Sequence, residues 1–169
     1  MEISEVERTL RSLPVVLDAL LSPIAPKTLQ TRPAEGEWCP LEVVGHLIAC
    51  DSAAFRDRIA AIVDGNPHIA GFDAWQAINA RDFAAEPLDQ LIEELSHERS
   101  VSSDFILALD ADDLAKTAVF EDGRRFAAGD FVHEWPFHDQ DHVQQILASL
   151  KLAYLPAMTP VMRSALTGK

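Results

Sequence analysis

The chain is short of positive charge: 14 lysines and arginines stand against 27 aspartates and glutamates, a net charge of −13. No cluster of basic residues rises from that background, and binding a phosphate backbone or an anionic bilayer requires local positive charge. Nucleic acid and membrane are therefore not expected partners. Cysteine is also scarce. Cys39 and Cys50 have no framework of further cysteines around them, which fits reduced thiols in a reducing, cytoplasmic compartment. A long apolar run is missing too: the first residues, MEISEVERTL, are acidic, and Pro14 and Asp18 interrupt the apolar stretch that follows, so neither a leader peptide nor a membrane span is expected. Without a glycine-rich phosphate loop or a strand-turn-helix serine elbow, phosphate binding and Ser/His/Asp chemistry lack support.

What is present is a core. With 48% hydrophobic residues over 169 positions, the chain suits one domain spanning residues 1–169 that buries about 70% of its unfolded surface. Ile3, Val6, Leu10, Leu13, Leu17 and Leu20 predict a first helix over about 4–22, with Ser4 and Glu7 as a capping box and a kink or break at Pro14. Residues 22–40 hold four prolines and Gly36 and read as a loop. Pro40 then opens a long helix ending near Gly65, on whose apolar face His46 takes the place of a hydrophobic residue beside Val43, Leu47, Cys50, Ala54 and Ile62. Cys50, one turn further, reads as a small buried thiol or as a group lining the same space. Gly45 beside His46 suggests a close approach to a neighbouring helix.

Residues 66–86 read as a connection with at most a short helix. Pro87 opens a third helix with Leu88, Leu91, Leu95, Phe105 and Leu109 inward, and His97 and His68 are read as surface residues. The turn at Asp122-Gly123 leads to Asp130, a candidate N-cap for a fourth helix. Its stripe of Phe131, Trp135, His138, His142, Ile146 and Leu150 repeats at three and four residues and so faces the core. Pro136 is expected to kink this helix or delay its start.

His138 and His142 lie one turn apart on that stripe. Each ring can pack as a half-apolar body with its own hydrogen-bond partner, or a metal ion can satisfy both. His46 supplies a third imidazole from the second helix, and three neutral imidazoles leave room for water or substrate, as catalytic sites do. The pattern predicts an all-α four-helix bundle with loop-rich connections, a common host for metal sites built across facing helices. Glu134 and Asp141 are candidate general bases or orienting groups. His133 lies about 140–180° around the helix from the pair and should point away.

Two segments resemble a known family. Trp38 to Leu47, WCPLEVVGHL, is similar to the tryptophan and E-x-x-x-H-L segment of the DinB-like (YfiT-like) four-helix-bundle superfamily, and HDQDH at 138–142, followed by Val143, Gln145 and Ile146, is similar to its second motif. A weaker likeness extends over 87–114. The resemblance implies a divalent metal, zinc or nickel, on His46, His138 and His142, and a homodimer; Val15, Val16, Leu21 and Ile24, off the first helix's main stripe, are the expected contact. It also implies a small-molecule substrate, with a low-molecular-weight thiol as partner, in a thiol-dependent transferase or hydrolase. The alternative is a non-catalytic bundle whose metal is structural or whose cavity binds a ligand.

Overall fold

Glu2 starts the first helix two residues before the expected capping box. Its backbone N–H donates to the Glu5 carboxylate at 2.9 Å, and α1 runs over Ile3–Leu21 in this computed structural model, which describes residues 2–168. The helix continues unbroken through Pro14, contrary to the expected break. The Pro14 ring is buried, and its packing offsets the missing backbone bond. The proline-rich stretch that follows includes one turn of helix, α2 (Pro26–Leu29), because Pro26 occupies a first-turn position where its missing N–H costs nothing.

The second long helix begins at Pro40 as expected and consists of α3 (Pro40–Cys50), a π-helical segment Asp51–Arg56, and α4 (Asp57–Val63). The connection carries β1 (His68–Ile69), α5 (Ala74–Asn79) and a 3₁₀ turn at Phe83–Ala85. The third long helix is α6 (Leu88–Leu107), and α7 (Ala111–Ala115) occupies the acidic break, with the Asp110 carboxylate accepting from Asp113 N at 2.8 Å. Strands β2 (Thr117–Phe120) and β3 (Arg125–Ala127) form an antiparallel hairpin around the Asp122-Gly123 turn, and β1 adds to it in parallel. These strands are too short to show alternation in the sequence.

The fourth long helix, α8 (Ala128–Tyr154), starts before Asp130. Asp130 is thus a third-position residue, not the cap, and its carboxylate accepts from Ala127 N at 2.8 Å. Pro136 neither delays nor interrupts the helix; like Pro14 it is buried. A short 3₁₀ turn at Leu155–Ala157 and α9 (Pro160–Thr167) follow.

The four long helical segments make a four-helix bundle: α1 packs on α6 and α8, and α3 packs on the same two. The small sheet is peripheral to this all-α architecture. Two apolar clusters fill it, one around Leu17, Leu47, Leu91 and Ile146, the other around Leu10, Phe55, Ile59 and Trp135. Leu47 belongs to the first and Cys50 to the second, so His46 stands where they meet. Of the four residues expected at a subunit contact, Leu21 is buried and Ile24 packs against the first cluster, whereas Val15 and Val16 are 72% and 49% exposed. Leu21 therefore has no surface to offer a partner. No described helix is long and apolar enough to cross a membrane.

Candidate metal centre

The position of His46 is set one turn upstream. Glu42 accepts from Cys39 N at 2.8 Å, closing the first turn of α3, and Arg32 Nε donates to the same carboxylate at 2.9 Å. Burial would raise the Glu42 carboxyl, but the Arg32 guanidinium and the Cys39 amide outweigh it and hold it below its ordinary range. On the other side, Gly45 lets the Phe83 ring lie on the helix backbone. The close approach is real, but its partner is the 3₁₀ turn and not a helix.

The three predicted imidazoles meet. His46 Nε2 lies 3.1 Å from His138 Nε2, and His142 Nε2 lies 3.2 Å from the same atom. His142 Nδ1 donates to Gln145 Oε1 at 2.8 Å, which leaves its Nε2 as a lone pair directed at the cluster. Trp38 covers the group, its ring 4.7 Å from that of His46 and stacked at 6.2 Å on that of His142. His46 is 4% exposed, whereas the His138 side chain is 22% exposed, so solvent reaches the cluster from the α8 side.

Burial, reinforced by the other two rings, pushes His46 down to about 3. Burial and His138 also lower His142, against a smaller upward pull from Gln145. Neutral rings at such spacing conflict: one N–H on His138 Nε2 satisfies one neighbour and leaves the other contact lone pair against lone pair. The buried His138 Nδ1 also lacks a hydrogen-bond partner. A cation removes the conflict. With metal–nitrogen bonds of about 2.0–2.1 Å, neighbouring nitrogens of a tetrahedral shell stand about 3.3–3.4 Å apart, close to what is found here. The set whose donor atoms all lie within 4.8 Å of one another is His46, Cys50 and His138; these residues fit a divalent ion, and His142 adjoins them through His138. Cys39 and Cys50 are free thiols; burial, with Asp51 and Asp139 adding to it, pushes Cys50 up to about 12.

Behind the imidazoles lies a charged network that pattern reading passes over. Arg99 grips Asp139 with two hydrogen bonds of 2.7 and 2.8 Å and lies 3.2 Å from Asp51, all three side chains being buried. Asp51 also accepts from Trp135 Nε1 at 3.2 Å and from Ser102 Oγ at 3.3 Å. Burial raises its carboxyl to about 7, with Arg99 only partly offsetting it. Asp139 Oδ1 stands 3.8 Å from His138 Nδ1, so the network touches the cluster. The signal was there: Arg99 continues the buried stripe Leu91, Leu95, Ser102, Ile106, but in a run of charged residues it reads as surface.

Glu134 and Asp141, the expected base or orienting groups, are both exposed. Glu134 lines a separate hollow with Arg58, Arg124 and Phe131, about 100° around α8 from Trp135 and about 40° from His138, on the flank of the buried stripe. His133 is exposed, its Nδ1 2.7 Å from Gly129 O, and His68 and His97 are exposed as read.

A family model described as the DinB superfamily matches residues 9–146. A comparison with curated protein sequences found no match. Among solved structures, the chain is similar to YfiT from Bacillus subtilis, described as a probable metal-dependent hydrolase with an unusual four-helix bundle topology. The two share 14% identity over 88% of this chain and 86% of that one, with a TM-score of 0.78. At that identity the likeness is one of fold.

Proposed function

The chain belongs to the DinB superfamily, and on that premise we propose that it is a metal-dependent enzyme of the hydrolase or thiol-dependent transferase type, with one divalent ion, zinc or nickel, on His46, His138 and His142. The observation that carries this reading is the meeting of three Nε2 atoms at 3.1 and 3.2 Å between two helices of a bundle. A divalent ion held there supplies Lewis acidity, lowering the pKa of a bound water or substrate thiol toward neutrality.

The chain's own residues prepare that site. Gln145 fixes the His142 tautomer that presents a lone pair. The Arg32–Glu42 grip holds the turn that carries His46. Trp38 shields the rings on one side, while the partial exposure of His138 leaves a small molecule a way in. A second reading, an ion that only orders the core, draws on the burial of His46 beneath Trp38.

Elemental analysis of protein purified without a histidine tag tests the site: we expect one divalent ion per chain, lost in the His46→Ala/His138→Ala/His142→Ala variant. Full occupancy in that variant would overturn the assignment. Screening metal-loaded protein for hydrolysis and thiol transfer against a His142→Ala control separates the readings, and absence of metal-dependent turnover on every substrate favours the ordering role.

A further inference from the structure

Arg58 is half-buried, yet among the described residues it forms no ion pair, although acidic side chains outnumber basic ones by 27 to 14. Its Nε donates to Ala70 O at 3.1 Å, and its Cζ lies over the rings of Phe120 and Phe131 at 5.5 and 5.8 Å. The guanidinium plane is thus held while its terminal nitrogens have no acceptor among the described residues. Burial disfavours its charge, and Glu134 and Cys50 act on it only through their fields. A planar fork of this kind takes a carboxylate with two parallel hydrogen bonds.

The fork borders a hollow of about 630 Å³, a volume typical of small-molecule sites. The fold brings Arg124 and Arg125 to it from a distant stretch of the chain. Both are held from outside: Arg124 by Asp122 at 2.6 Å, and Arg125 by Thr117 Oγ1 at 3.1 Å. Phe126 meets Phe120 and Phe131 edge to face at 6.0 and 5.7 Å, which makes one wall apolar and aromatic. Two carboxylates, Asp130 and Glu134, share the hollow with the three guanidiniums. That balance suits a single negative charge and opposes a dianion such as phosphate.

We propose that this hollow binds a small organic monoanion, a carboxylate on a flat apolar body, with Arg58 as the residue that holds the carboxylate. On α8, Phe131 and Glu134 precede His138 by seven and four residues, about 6–10 Å along the axis. On the second long helix, Arg58 follows Phe55 by three residues, and the Phe55 ring stands 5.3 Å from that of His138. An acid anchored in the hollow therefore extends its far end toward the imidazoles. The substrate class of the proposed enzyme is then a small carboxylic acid that reacts at that far end. This last step rests on the metal-dependent reading; binding of the acid in the hollow does not.

The test titrates the full-length protein, as purified and at low ionic strength, with benzoate and with its neutral counterpart benzamide, read by nuclear magnetic resonance. Wild type should bind one benzoate per chain saturably, and benzamide at least about tenfold more weakly. Arg58→Gln should weaken benzoate binding at least about tenfold, as the loss of a charge-assisted pair does. The His46→Ala/His138→Ala/His142→Ala variant should bind benzoate as wild type does. No saturable benzoate binding, equal affinity for benzamide, or wild-type affinity in Arg58→Gln overturns the proposal. Loss of benzoate binding in the triple histidine variant moves the acid to the imidazole cluster and also overturns it, leaving the metal reading standing. Benzoate binding by a wild type that holds no metal keeps the hollow and overturns the substrate assignment alone. Should Arg58→Gln not fold, the exposed pair decides through Arg124→Gln/Arg125→Gln: binding at least about threefold weaker is expected, and wild-type affinity overturns the proposal.

Discussion

Gly45 and Phe83 are packed so closely that a Cβ on the glycine would stand within 2.6 Å of three atoms of the ring. The backbone of Gly45 is ordinary helix, so space, not conformation, demands glycine there. Gly45→Ala should destabilise the fold by about 1–3 kcal/mol through overpacking, lowering the melting temperature by about 2–12 °C. The neighbouring His46 should lose metal affinity as well. Combining it with Phe83→Ala should cost less than the sum of the two, because the substitutions share one contact; strict additivity by thermal melts would refute this packing account.

Arg99 is the sole positive charge of its buried triad, facing Asp51 and Asp139. Arg99→Met should cost about 3–5 kcal/mol in urea unfolding, the penalty for leaving carboxylates buried and unpaired. Arg99→Met with Asp139→Leu should lose less than Arg99→Met alone. A larger loss in the double variant would mean that Asp139 is held by something other than the arginine.

Acid should weaken the metal-free protein through His46. Its folded pKa, depressed by burial to about 3, lies below its unfolded value, so between about pH 6.5 and 3 the unfolded state binds the extra proton and stability falls as pH falls. The slope is about 1.4 kcal/mol per pH unit for one such group. Asp51, raised to about 7, acts in the opposite direction, so the informative quantity is the difference between wild type and His46→Leu. Parallel stability curves between about pH 4 and 6 would show that His46 is not held neutral by the fold.

His133→Ala should leave the metal content at one ion per chain, because this ring is exposed and turned to Gly129 O. Loss of the ion with an unchanged circular dichroism spectrum would show that the first turns of α8 reach the site after all.

Val15 and Val16 remain the candidates for a subunit contact. Light scattering at micromolar concentration should give about twice 18.6 kDa, and Val16→Glu should return the monomer mass without altering the melt. A wild-type mass near 18.6 kDa, with or without metal, removes the dimer and leaves the site untouched.

Periodicity made the bundle legible. Apolar stripes located all four long helices, and imidazoles standing in apolar positions located the cluster. Reading failed where an apolar or local rule was overridden by partners distant in sequence. Arg99 looks like surface until Asp139 and Asp51 are brought to it from other helices. Pro14 and Pro136 look like breakers until their rings are seen to be buried. Strands of two to four residues carry too little alternation to be read, and the part of Phe83 in fixing Gly45 depends on a contact between a loop and a helix. Glu134 failed for a simpler reason: it stands one turn before His138 but on the outer flank of the stripe, where its side chain is exposed.

The widened turn at Asp51–Arg56 gives the second long helix a phase shift. A π segment inserts a residue into the helical count, so α3 and α4 share an axis without sharing one angular register. Upstream, His46 and Cys50 are aimed at α8; downstream, Ile59 and Ile62 are buried in the second apolar cluster. The shaft works like two keyed sections joined by an offset coupling, and each can be aimed without turning the other. Deleting one residue from the coupling would restore a uniform helix and force a choice: either the donors or the downstream anchors would turn by about 100° away from their target.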